Sequence, residues 1–202
     1  MIESNYDEFD YWKTISIYQE LSEEFIIKFQ DNIDWYYISK YQILSEEFIR
    51  KFKDKVDWAA ISCSQELNEN FIREFYDKVD WKVISEYQMH LSENFIREFQ
   101  DKVDWEEISY SQELSENFIR EFQNKIYWKA VINYKNLSIE FIKDFFDKLN
   151  VIDLLRNFGY TLLFYKNVNK YQIKSDNYCS DLIEKDELNK LALRLFSLKA
   201  FQ

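Results

Sequence analysis

Side chains able to do covalent or metal chemistry are scarce in this sequence, and their spacing suits few reactions. His90 is the single histidine, and no neighbour in sequence completes a nucleophile–base pair with it. Cys63 and Cys179 lie far apart and offer neither a disulfide framework nor metal-ligand spacing. A phosphate-cradling loop needs several glycines, and the chain has one. Carboxylates are abundant, but a hydrolase pair needs two of them in a cleft, where any local pattern is broken; no such pair stands out. The reading is a protein that is not an enzyme and takes no cofactor or metal.

The chemistry left is recognition, and its residues are positioned by a repeat. Tryptophans stand at Trp12, Trp35, Trp58, Trp81, Trp105 and Trp128, with none elsewhere. A leucine (Leu21, Leu44, Leu67, Leu91, Leu114) precedes each from the second onwards at a constant distance, and Leu137 begins one more unit in which Val151 takes the Trp place. The unit is about 23 residues long, with one extra residue at Met89-His90, where a loop is expected. It reads Leu-Ser-Glu-x-Phe-Ile-Arg-x-Phe-x-Asp-Lys-Val-Asp-Trp-x-x-Ile-Ser-x-Tyr-Gln-x.

Two helix starts are visible in each unit. Ser22, Ser45, Ser92, Ser115 and Ser138, with Asn68 in one unit, are N-cap residues, followed mostly by Glu at the positive end of the helix. Phe25, Ile26, Phe29 and Ile33 then form one apolar stripe, repeated as Phe48, Ile49, Phe52 and Val56. Asp34, Asp57, Asp80 and Asp104 cap a second, shorter helix that carries Trp and Ile on one face and ends near the Gln. Helices this short are not stable alone, so stability must come from stacking on neighbouring units. The low content of Gly, with no Pro, agrees with helix rather than a turn-rich sheet fold.

The expected fold is therefore mostly all-α: a right-handed-type α-solenoid of short αα-hairpins with a non-repeat C-terminal cap containing a small β-hairpin. Residues 1–20 form an N-terminal half-repeat, 21–158 the tandem repeats and 159–202 the cap. Within the cap, Gly159 to Tyr165 and Tyr171-Gln172-Ile173 read as strands joined by a turn at Asn167 to Asn169, and 180–201 as an amphipathic helix.

The recurrent apolar positions are core, and the tryptophans read as a stacking ladder between hairpins rather than a ligand platform. Arg50, Arg73, Arg97 and Arg120 form a basic file expected to pair with nearby Glu. Asp31, Asp54, Asp77 and Asp101 are placed to cap or to pair with Lys or Arg. The positions that differ between units are expected to be exposed and to carry partner specificity: the two after Trp, the one after Ile-Ser, and the tenth of the unit. Tyrosine anchors interfaces well, so Tyr36, Tyr37, Tyr76 and Tyr110, with Glu106 and Glu107, are the candidate partner-binding residues.

The net charge is −11. It is concentrated in residues 1–148, where 18 Lys and Arg face 31 Asp and Glu, a net −13. Such a charge repels a phosphate backbone, so direct nucleic-acid binding is not expected; a protein partner is, and the charge is compatible with a basic or nucleic-acid-binding one or with a role in solubility alone. An acidic mimic of nucleic acid and a sequestering protein for a small nucleotide-like ligand are the alternatives. The opening Met1-Ile2-Glu3-Ser4 is acidic and leads into no apolar segment, and no apolar run reaches membrane-spanning length; a cytoplasmic location without membrane attachment is the simplest expectation.

The run from Leu91 to Trp105, followed by Ile108-Ser109, resembles a tandem repeat common in uncharacterised proteins of giant DNA viruses and some phages. The resemblance covers about residues 10–155 and fades after Gly159. It implies a viral or phage origin, in a host cell, and brings no shared activity and no functional residue.

Overall fold

The computed structural model describes residues 8–132, 137–157, 161–165, 170–175, 178–179 and 190. The chain divides into two compact units, Met1–Gln112 and Glu113–Gln202.

In the first unit, α1 (Glu8–Tyr18), α3 (Trp35–Tyr41), α5 (Trp58–Ser64), α7 (Trp81–Tyr87) and α9 (Trp105–Ser111) are the Trp-bearing helices. They alternate with α2 (Glu23–Lys28), α4 (Glu46–Lys51), α6 (Glu69–Glu74) and α8 (Glu93–Glu98). Each Trp helix packs on the next, α1 on α3, α3 on α5, α5 on α7 and α7 on α9. This is the α-solenoid of αα-hairpins that the repeat predicts. The second unit holds α10 (Glu116–Glu121), α11 (Trp128–Val131), α12 (Ile139–Asp144) and α13 (Val151–Asn157). An antiparallel sheet in the order β1 (Thr161–Tyr165), β2 (Lys170–Ser175), β3 (Tyr178–Cys179) follows. Thr161 pairs with Lys174 and Tyr165 with Lys170, a hairpin between the two expected strands, and β3 adds a third. The turn at Asn167 to Asn169 and, apart from Lys190, which is helical, the helix over 180–201 lie outside the described residues.

Both sets of caps form. Ser45 Oγ accepts from the Phe48 amide at 3.1 Å, and Asn68 Oδ1 from Phe71 at 2.9 Å. Asp57 Oδ1 accepts from Ala60 at 2.8 Å. The Glu after the cap has a second task, because it caps the next hairpin as well. Glu46 Oε1 accepts from the Asn68 amide at 3.1 Å, and Glu69 Oε1 from the Ser92 amide at 2.7 Å. An amide that no intrahelical acceptor reaches is thus satisfied by the neighbouring unit.

The apolar stripe is the core: Phe48, Ile49, Phe71, Ile72, Phe95 and Ile96 are buried. The Trp rings are half-buried and lie on the Phe pair of the following hairpin, Trp58 at 4.9 Å from Phe75 and Trp81 at 4.7 Å from Phe99. From Trp35 onwards the indole also closes its own turn, Trp58 Nε1 donating to the Lys53 carbonyl at 2.9 Å and Trp81 Nε1 to that of Tyr76 at 2.8 Å. The ladder reading of tryptophan holds, with this local hydrogen bond added.

A polar ladder runs through the same core. Gln65 Nε2 donates to the Ser39 carbonyl at 3.1 Å and the Gln42 carbonyl at 2.8 Å, while its Oε1 accepts from the Leu44 amide at 3.1 Å. Gln42 and Gln88 repeat all three bonds one unit earlier and one later. Beside it, Ser62 Oγ donates to the Trp58 carbonyl at 2.7 Å and accepts from the Asp80 amide at 3.0 Å. These glutamines and serines are buried, and among the described residues every buried side-chain nitrogen and oxygen has a partner.

The extra residue is absorbed at His90, which takes a left-handed φ of 70°. Gln112 keeps its bonds to the Gln88 carbonyl at 2.9 Å and the Leu91 amide at 3.0 Å. The displaced Ser85 carbonyl is taken by Ser111 Oγ at 2.7 Å. In the following unit the Ser and Gln positions become Ile132 and Lys135, and the capping Asp becomes Tyr127. There α11 has no side-chain cap and only four residues.

Candidate interaction surface

In α3, α5, α7 and α9 stacking uses the Ile, Ser and Gln and leaves other positions exposed. The first residue after Trp is exposed from the second tryptophan onwards, at Tyr36, Ala59, Lys82, Glu106 and Lys129, while Lys13 after Trp12 is half-buried. So are Lys40, Cys63, Glu86 and Tyr110, after Ile-Ser. The second residue after Trp departs from the expectation. Tyr37 and Glu107 are half-buried and Ala60 is buried, because this position faces the preceding Trp helix: Lys13 lies over the Tyr37 ring at 5.2 Å, and Lys82 is 3.9 Å from Glu107. The tenth position is also only partly exposed, with Gln30, Gln100 and Gln123 half-buried and Lys53 and Tyr76 exposed.

The candidate residues therefore separate into three places. Tyr36 and Tyr37 meet edge to face at 5.2 Å on α3, where Tyr41 joins them, stacked on Tyr37 at 6.2 Å. Lys40 lies between them, 5.6 Å from the Tyr36 ring and 5.4 Å from that of Tyr41. A hydrogen bond with the Tyr36 hydroxyl, and then the charge that hydroxyl gains on ionisation, hold the Lys40 ammonium above its ordinary range. Glu106, Glu107 and Tyr110 share α9. Tyr76 stands apart in the turn after α6, beneath Lys102 at 5.2 Å. It borders a shallow recess of about 430 Å³ with Arg73, Glu98, Phe99, Asp101 and Lys102.

Four exposed tyrosines escaped the sequence reading, Tyr11 and Tyr18 on α1 together with Tyr41 and Tyr87. Tyr41 and Tyr87 occupy the position before the Gln, which the unit consensus treats as ordinary repeat. With Tyr36 and Tyr110 they are 44% to 49% exposed. The signal was present: this position alternates between Tyr and Ser (Ser64, Ser111), which a core position does not tolerate. Beside Tyr41, Ile43 is 95% exposed. On α7, a hydrogen bond to Glu86 and its negative charge, then the charge of Cys63, raise the Tyr87 hydroxyl above the ordinary tyrosine range.

The repeated charges are engaged with one another, as expected of the basic file. Arg73 meets Glu98 at 2.7 Å and Glu69 at 3.3 Å and lies over Phe95 at 5.0 Å, and Arg50 does the same with Glu74, Glu46 and Phe71. Of the Asp file, Asp31 and Asp54 pair forwards along the array, with Lys55 at 3.5 Å and Lys78 at 3.8 Å. Among the described residues no His, Cys, Asp and Glu side chains group as metal ligands, and no helix is long and apolar enough to cross a membrane. No protein-family model, curated protein or solved structure matches the chain.

Proposed function

We propose that this chain is a helical-repeat binding module that acts without catalysis, engaging a protein partner through the outer face of its Trp helices. The observation that carries this reading is the set of half-exposed tyrosines, Tyr36, Tyr41, Tyr87 and Tyr110, on the Trp helices α3, α7 and α9. Rigid aromatic rings on short, cross-bonded helices lose little conformational entropy on binding, which is what interface anchors require. The resemblance to viral repeats makes a viral or phage protein that inhibits or scaffolds a host-defence or nucleic-acid enzyme the specific form of the proposal. Pairing of the repeated carboxylates with Arg and Lys weighs against a nucleic-acid mimic, whose acids should stand unpaired. The rim of the Tyr76 recess is likewise made of charges already engaged, which favours the protein partner over a small ligand.

Affinity purification of the tagged chain from its native cells tests the reading. A partner recovered with wild type and lost with Y36A/Y110A supports it. Equal recovery with both proteins, or a carboxylate-dependent ligand displaced by salt alone, overturns it.

A further inference from the structure

The outer face of α3 to α9 is polarised along the stack. On α3 it carries Tyr36, Lys40 and Tyr41 with no acid, whereas α9 carries Glu106, Glu107 and Tyr110 with no base. Neither Lys40 nor Glu106 has an ion pair among the described residues, whereas Arg50, Arg73 and Arg120 of the basic file do. Between these ends, α5 presents the small Ala59, Cys63 and Ser64, and α7 the large Lys82, Glu86 and Tyr87.

The Trp helices run parallel, since neighbours meet N-terminal part to N-terminal part (Lys13 on Tyr37) and C-terminus to C-terminus (Gln65 on Gln42). A two-fold axis parallel to them, passing between α5 and α7, reverses the stacking order and keeps the helix direction. It lays α3 on α9 of a second copy, and α5 on α7. Equivalent positions then face each other: Tyr36 meets Glu106, and Lys40 meets Tyr110 one turn from that same Glu106. In the middle, Ser64 meets Tyr87 and Ala59 meets Lys82, small against large. Charge and size are complementary under one operation, as an isologous interface demands.

Resting on the reading of this face as the binding surface, we infer that its occupant is a second copy of the chain, paired α3 to α9 about that two-fold axis. Four helices about 10 Å long, stacked roughly 9 Å apart, give a footprint of a few hundred Å². That is small for a stable complex, so the dimer is a weak one.

Sedimentation velocity of the full chain, from about 1 to about 100 µM, reads the association directly. Wild type is expected to shift from monomer towards dimer across this range. K40E and E106K each place like charges at both ends of the interface and are expected to weaken dimerisation at least about tenfold. Mixing the two variants restores opposite charge at both ends, so the mixture should associate where neither variant does alone. Circular dichroism checks that both remain folded. A monomeric wild type, unchanged association of the single variants, or a mixture no better than its components overturns the proposal. Each of these leaves the binding-module reading to the Y36A/Y110A purification, so the two fail separately.

Discussion

Replacing Gln65 with leucine keeps side-chain volume and removes three hydrogen bonds at once. The Ser39 and Gln42 carbonyls lose their donor and the Leu44 amide its acceptor, all at a site that is 7% exposed. At about 1 kcal/mol for each net hydrogen bond, rising to about 1–3 for a group left unsatisfied in the interior, the loss is about 3–5 kcal/mol. The apolar side chain returns about 1 kcal/mol by burial, leaving a destabilisation of about 3 kcal/mol. Repeat arrays couple mainly nearest neighbours, so a single global transition is not assured. Urea unfolding should therefore be read alongside hydrogen exchange, with the Leu44 amide as local probe. Gln19 is the internal control. It holds the same place in the first half-unit, but its side chain is exposed and only its carbonyl serves the ladder. Gln19→Leu should stay within about 0.5 kcal/mol of wild type. A Gln65→Leu loss below about 1 kcal/mol with the Leu44 amide still protected, or an equal loss from Gln19→Leu, refutes the ladder as a source of cohesion.

Ser62→Ala strands the Asp80 amide and frees the Trp58 carbonyl, and should cost about 1–2 kcal/mol in urea unfolding. Asp57→Ala removes the cap on Ala60 and should cost about 1 kcal/mol by the same measurement. Arg73→Ala breaks two partly exposed ion pairs; its effect should stay under about 1 kcal/mol and shrink in high salt, and a larger, salt-insensitive loss would show that stacking on Phe95 dominates. Tyr87 should ionise above ordinary tyrosine, and Glu86→Gln should bring it down, as followed by the ring-carbon NMR shift. The sign follows from linkage: a raised folded-state pKa favours the neutral hydroxyl. That contribution is complete below the unfolded tyrosine pKa and is lost as pH rises through the folded one.

Much of the fold was legible because each hairpin solves the same local problem. Caps at Ser45 and Asp57 depend on residues two or three positions away, and the stripe Phe48, Ile49, Phe52 shows its face by spacing alone. Recurrence marked the Arg file and the Trp ladder as structural. The ladder's glutamine was harder to read, since a Gln at a helix end is commonly solvated. Its presence at Gln19, Gln42, Gln65, Gln88 and Gln112, always three residues after a Ser, was the available sign that it is structural. The candidate surface was half legible: Tyr36 and Tyr110 stand at positions that vary, while Tyr41 and Tyr87 were hidden inside a consensus.

Sequence alone determined the hairpin unit, its caps, its core face and the site of the insertion, because these follow from interactions within one turn of helix or from strict recurrence. Tertiary structure decided what one unit does to the next. Glu46 caps a helix 22 residues on, Gln65 bonds carbonyls 23 and 26 residues back, and Ser111 covers for the glutamine where His90 shifts the register. It also decided that the second residue after Trp faces a neighbour while the first faces outward. The physical reason is geometric: a repeat fixes which residues recur, but only the angle between stacked helices settles which recurring groups meet.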